Sequence, residues 1–301
     1  MAGQTREQQR TERVAKQRAE QARHERRRRL AIAGASIAAV LVVLGAVVAI
    51  GLTHDSSTSS GSSSAAPAAV VAAATGVPSA TAAGIGAGGT KNAIIPLDGK
   101  ALKVGDKPLI LDIGAEYCPF CAAERWSTVL ALSRFGTWSG LKQTTSAAED
   151  VHPSTPTFSF SGATLKSDYV EFQGVETATN KRVGNSYEPL DTLTPEQQRI
   201  ISTYNAPPYV PQQNAGSIPF TDFGGVFASA GAGYDPSLLH GKTLAQIADE
   251  VKAGTSPAAK AIIGHANRLT AAVCVVTGGQ PASVCRAELV SSLAKQLPRV
   301  G

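Results

Sequence analysis

The apolar and polar positions along this chain fall into two regimes, with a break near residue 91. Before the break, residues 4–29 are rich in Gln, Glu and Arg with no apolar stripe, which predicts a solvated helix or a disordered segment. Residues 30–52, LAIAGASIAAVLVVLGAVVAIGL, are 23 residues without a charge. As a helix they would be about 34 Å long, enough to span a hydrocarbon core of about 30 Å. Residues 53–66 are Ser-rich and predict a flexible tether, and the Ala- and Gly-rich residues 67–90, with Pro67 and Pro78, predict short helices packed on a domain or further linker.

After the break the apolar periods shorten. Strands are predicted over 108–113, 141–146, 157–161 and 169–175, where β-branched and aromatic residues concentrate. A helix is predicted over 118–135, with Trp126, Val129, Leu130 and Leu132 or Ser133 at helical spacing. Thr194-Pro195-Glu196 reads as the start of a helix running to about Tyr204: a capping hydroxyl, a proline in the first turn, and an acid near the positive end. Residues 218–223 and 226–230 read as a strand pair around Gly224-Gly225, followed by helices over 236–253, 257–276 and 281–296. This order predicts an α/β fold with a mixed sheet, and no internal repeat is visible. The organisation expected is a basic tail (1–29), a transmembrane anchor (30–52), a tether with possible short helices (53–90), a domain (91–254) and a C-terminal helical extension (255–301).

Charge changes this picture in one respect. The whole chain carries a formal charge of +5, which invites a nucleic-acid reading. Residues 1–29, however, hold ten Lys/Arg against four Asp/Glu, and the remainder holds eighteen against nineteen. The basicity is confined to the tail, so nucleic acid is not an expected partner. Arg26 to Arg29 abut the apolar span, and the flank THDSSTSSGSSS has no Lys or Arg. The positive-inside rule then keeps the N-terminus in the cytoplasm and exports the C-terminal bulk, with the arginines able to meet anionic headgroups. A cleaved signal peptide is the competing reading; its apolar core is usually about 7–15 residues.

The candidate chemistry lies in PLILDIGAEYCPFCAAERW. Of the four cysteines, Cys118 and Cys121 sit between a predicted strand and a predicted helix. That places Cys118 at the helix N-terminus, with Pro119 in the first turn, where free N–H groups and the helix dipole stabilise a thiolate. Cys121, one turn deeper, would be the less exposed sulfur, and thiol–disulfide exchange needs that asymmetry of attacking and resolving sulfurs. Two rival readings stand beside it. A zinc site needs four ligands, and Cys274, Cys285, His152, His240 and His265 lack ligand spacing. The pair could also be a static disulfide. Cys274 and Cys285 flank VVTGGQPASV, a turn between two helices. They read as a disulfide stapling a helical hairpin, with an electron relay to the first pair as the alternative. Glu116, Glu124 and Arg125 read as solvated flanking charges, although Glu116 could tune the Cys118 thiolate and Arg125-Trp126 could anchor the helix.

LDIGAEYCPFC resembles the active-site strand and helix start of the thioredoxin superfamily. The resemblance implies that Asp112, six residues before Cys118, is a buried acid exchanging a proton with Cys121. SIPF at 217–220 is similar to the superfamily's cis-proline loop, which implies that Pro219 lies against the cysteines and that Ile218 pairs with substrate backbone. Tyr117 stands where thioredoxins usually carry Trp and, with Pro119 and Phe120, would border the substrate groove. Pro219 comes 98 positions after Cys121, so strands and a helix must be inserted between them. GAEYCPFCAAERW, ALSRFGTWSGL, TPTFSF, PPYV and IPFTDFGG together resemble an actinobacterial and archaeal family of membrane-anchored thioredoxin-like proteins, the domain of unknown function numbered 929, from about residue 67 to 254 or beyond. That family implies no activity of its own. The expectation is therefore a thioredoxin-like mixed sheet carrying an insertion and an N-terminal transmembrane helix. Its function would be extracytoplasmic thiol–disulfide exchange on protein thiols or disulfides, with a membrane redox partner and no metal or other cofactor. A non-catalytic binding or assembly module is the alternative.

Overall fold

The strand Lys107–Gly114 is buried along nearly all its length, which explains why its sequence reads as a continuous apolar run. Period-two geometry still divides its side chains. Leu109, Leu111 and Ile113 join one apolar cluster with Leu97, Val175, Ile200 and Phe220, whereas Ile110 joins another with Trp126, Leu130, Phe158 and Phe223. Asp112 is in phase with Ile110 and so belongs to the face covered by the helix Pro119–Leu132. This computed structural model describes residues 63–89 and 94–298, all within one unit, 60–301. The expected basic tail and transmembrane span lie outside the described residues. Among those described, no single helix is long and apolar enough to cross a membrane.

The sheet is mixed. The central strand pairs antiparallel with Phe220–Phe223, matching Phe220 to Ile113 and Thr221 to Asp112, and parallel with Glu171–Glu176, matching Asp112 to Gly174 and Gly114 to Glu176. Phe227–Ala230 and Ile95–Pro96 extend one side, and Lys103–Val104 pairs with the start of the central strand. The Gly224-Gly225 turn closes the antiparallel pair with both residues at positive φ, and a Cβ on Gly225 would fall 2.2 Å from the carbonyl oxygen of Lys100. The parallel partner needs a crossover, and the cysteine helix and the strands after it supply one. That helix and the long helix Pro257–Val276 cover one face, while Pro195–Tyr204 covers the other through Ile200.

Between the cysteine helix and Ile218 lie seven strands and one α-helix, which fill the expected gap. Three of the seven match predicted strands, at Lys142–Thr145, Pro156–Ser159 and Glu171–Glu176. Four were not predicted: Gly136–Ser139 pairs with Thr164–Ser167, and Ala178–Val183 forms a hairpin with Ser186–Pro189. Their sequences are short and mostly polar, and each pair stands as a separate two-stranded ribbon, so little apolar burial marks them in the chain.

Two predicted helices are broken. The segment 236–253 splits into a 3-10 turn, Pro236–Leu239, and a helix, Leu244–Ala253. Gly241 at φ 71° stops the first, and Thr243 with Gln246 forms a capping box that starts the second. The segment 281–296 splits into Ala282–Cys285 and Glu288–Gln296. The 67–90 stretch forms two helices, Ala68–Thr75 and Ser79–Ile85, with Val70, Ala73, Ala74 and Ala82 buried. Ser64–Ala65, the end of the Ser-rich stretch, pairs with Lys142 and Gln143.

Candidate functional site

Cys118 is the N-cap of the helix Pro119–Leu132, and its sulfur accepts the backbone N–H of Cys121 at 3.3 Å. Pro119 occupies the first turn, where it forfeits no helical hydrogen bond. Gly114 leaves room for the start of the helix against the central strand: a Cβ there would lie 3.2 Å from Cys121 Sγ. Cys118 is 6% exposed and Cys121 1%, and both are free thiols. On the opposite side, Cys118 Sγ lies 3.8 Å from the carbonyl oxygen of Ile218, whose peptide bond to Pro219 is cis.

The two sulfurs are electrostatically unlike. Hydrogen bonding from Cys121, with backbone donors at Cys121 and Phe120 and the charge of Arg125, holds Cys118 below the ordinary thiol value against the effect of burial. Burial, together with its own hydrogen bond to Cys118, pushes Cys121 well above that value. One sulfur is thus prepared to be a thiolate and the other to keep its proton.

Asp112 is 3% exposed, and its Oδ2 accepts from Thr221 Oγ1 at 2.8 Å. Burial raises its pKa to about 7, outweighing the hydrogen bond from Thr221. Among the described residues no hydrogen bond joins Asp112 to either sulfur. Asp112 and Gly114 share one face of the central strand, the face on which a Cβ at Gly114 would meet Cys121 Sγ.

The flanking charges overturn their reading as solvated. Glu116, Glu124 and Arg125 are 0%, 1% and 2% exposed. The cysteine helix is buried all round except at Phe120, so each charge on it needs an internal partner. Arg125 forks onto Glu176, Nε to Oε1 at 2.8 Å and Nη2 to Oε2 at 2.5 Å, and Nη2 also donates to the carbonyl oxygen of Ala115 at 2.7 Å. Glu124 meets His265 Nε2 at 2.7 Å and accepts the N–H of Gly233 at 3.0 Å. Trp126 donates to the carbonyl oxygen of Pro156 at 3.0 Å, so the helix is anchored as Arg125-Trp126 implied. Neither Glu176 nor His265 carries a local sequence signal for these roles, since their partners lie 51 and 141 positions away.

Beside the cysteines runs a groove of about 950 Å3 lined by, among others, Tyr117, Phe120, Ile218, His152 and Tyr209. Three of the predicted substrate contacts therefore border it, whereas Pro119 and Pro219 are buried and do not line it. Tyr117 stacks on Tyr187 at 4.1 Å between ring centroids, and Arg182 lies over the Tyr187 ring. Phe120 is 41% exposed and meets His152 edge-on. Cys274 and Cys285 form a disulfide at the end of the long helix, closing the turn that contains Gly278 and Gly279. Among the described residues no group of three or more His, Cys, Asp or Glu could hold a metal ion.

A family model described as an inhibitor of host cell division protein domain matches residues 8–66, nearly all outside the described residues. No curated protein and no solved structure matches the chain. A family model described as a domain of unknown function (DUF929) matches residues 94–275, which take in the central strand, both free cysteines, the Ile218–Pro219 loop and most of the long helix; the chain belongs to that family.

Proposed function

We propose that this is a thioredoxin-like domain, tethered to the membrane by residues 30–52 and exported, that exchanges thiols and disulfides with client proteins. The observation that carries this reading is the placement of Cys118: an N-capping sulfur, favoured as a thiolate, facing the Ile218 carbonyl across the edge of a groove. The Cys118 thiolate attacks a client disulfide, forming a mixed disulfide and releasing one client thiolate. Cys121 then loses its proton, for which Asp112 is the acceptor, and attacks Cys118 Sγ. That step releases the second client thiolate and closes the Cys118–Cys121 disulfide, so two electrons have passed to the client. The same steps in reverse oxidise a client dithiol. A carboxyl with a pKa of about 7 suits such a proton exchange near neutral pH. Tyr117, Phe120 and Ile218 would contact the client, with Pro119 and Pro219 shaping the floor.

The second reading is a binding or assembly module whose pair does not turn over; the small exposure of Cys118, 6%, favours it. A Cys121→Ser chain decides between them. Exchange predicts that it accumulates Cys118-linked client proteins, seen as reducible adducts by mass spectrometry after alkylation. No adducts, together with no oxidation or reduction of a dithiol peptide by the purified protein, would leave the binding module.

A further inference from the structure

The direction of electron flow depends on what stabilises the reduced pair, and one side chain behind the cysteines bears on it. Among the described residues Arg125 is the only buried lysine or arginine. It sits one turn beyond Cys121 on the same helix, and both face the same small space: a Cβ built on Gly114 would lie 3.7 Å from its Nη2 and 3.2 Å from Cys121 Sγ. The guanidinium cannot swing away. Glu176 holds two of its nitrogens, the Ala115 carbonyl holds Nη2, and Glu176 Oε1 is itself fixed by the N–H of Phe160 at 3.0 Å. Nη1 is buried with no hydrogen-bond partner, so the cation has unspent donor capacity inside the site.

A disulfide is neutral, whereas the reduced pair carries a thiolate on Cys118. A fixed cation in a water-poor site lowers the energy of the charged state alone. The other acids near the pair offset it only in part. Asp112 and Glu116 are both driven towards their neutral forms by burial, and Glu124 is engaged with His265 and Gly233. Glu176 is the direct counter-ion of Arg125. We propose that Arg125, clamped by Glu176, is a positioning residue that biases the Cys118–Cys121 pair towards its reduced form, so that the domain donates disulfides to client dithiols. In that direction the enzyme disulfide is broken and a client disulfide formed. Of the two client thiol protons, one stays on Cys121 and one is released as Cys118 becomes a thiolate. Another turn needs a separate electron acceptor, for which a membrane disulfide or quinone partner has the right chemistry.

The inference rests on the exchange reading, and the test separates the two. The reduction equilibrium against glutathione and the thiolate absorbance of Cys118 are measured for the full chain, for Glu176→Gln and for the paired Arg125→Met/Glu176→Gln variant, with circular dichroism as the check on folding. Removing the counter-ion while keeping the cation should raise the thiolate fraction and shift the equilibrium towards the reduced protein. Removing both should shift it about tenfold the other way, or about 30 mV. A merely structural role would move both variants in one direction or neither, and either result overturns the inference while leaving exchange intact. If the paired variant does not fold, Glu176→Gln alone decides, and no rise in thiolate fraction overturns it. A wild-type pair that does not exchange with glutathione overturns the exchange reading and this inference with it.

Discussion

Cys118 Sγ lies 3.8 Å from the carbonyl oxygen of Ile218, two residues that are 100 positions apart in the chain. The strand Phe220–Phe223 brings them together by pairing with the central strand in the register that sets Phe220 opposite Ile113. Because the cysteines leave the same end of the central strand, the loop before Phe220 must cross in front of them. The contact is therefore a consequence of sheet register, and anything that shifts the register opens the site.

Asp112 should make stability fall as pH rises. Its carboxyl ionises near 3.8 when exposed and near 7 when folded. Between those values the folded state binds the extra proton, so the penalty grows from about pH 4 and is complete above pH 7, on the order of 4 kcal/mol at most. Asp112→Asn is expected to be more stable than wild type at pH 8 by about 1–4 kcal/mol, with the gap closing towards pH 4 in denaturant titrations. The same variant should resolve mixed disulfides more slowly, and the bend near pH 7 in the resolution rate should vanish.

Gly174 tests the packing under the parallel pair. It lies opposite Asp112 in the sheet, and a Cβ there would come within 2.4 Å of Phe160 Cβ, a side chain buried among Trp138 and Phe172. Gly174→Ala is expected to cost about 1–3 kcal/mol or more through overpacking. Urea denaturation would measure the cost, and an unchanged midpoint would mean that the strand yields more easily than its contact with Phe160 suggests.

Removing the disulfide should affect stability and leave exchange alone. Cys274 and Cys285 enclose a short loop, and in the chain-entropy model such closure contributes about 3 kcal/mol. The Cys274→Ala/Cys285→Ala variant should unfold at correspondingly lower denaturant while still forming client adducts in the Cys121→Ser background. Loss of adducts in a folded variant would instead favour the relay between the two pairs.

Topology can be tested on cells. Export predicts that protease added to intact spheroplasts removes the domain and leaves a short membrane stub. It also predicts that Cys274–Cys285 is oxidised in protein quenched rapidly with acid. Protection from the protease, or free thiols at both positions, would place the domain in the cytoplasm, where glutathione and thioredoxin pools keep thiols reduced.

The features legible in the chain are those whose causes are local. The apolar run of Lys107–Gly114, the Cys-Pro start of the next helix, the Thr194-Pro195 cap and the Ser256-Pro257 start of the long helix each carry their signal within a few residues. The order of these elements was enough for a mixed α/β fold, and the spacing of Cys118 and Cys121 was enough to mark a candidate site. Tertiary structure alone decided which charges are buried. Glu124 and Arg125 look like solvated residues on an ordinary helix because nothing nearby reveals that the helix is covered everywhere but at Phe120, with partners arriving from Glu176 and His265. It also decided the polar ribbons, whose weak alternation becomes strand only when a partner strand satisfies their backbone. A hydrogen bond or ion pair across 51 or 141 positions leaves no period in the chain, so the electrostatics of the site could be read only once the fold had brought those positions together.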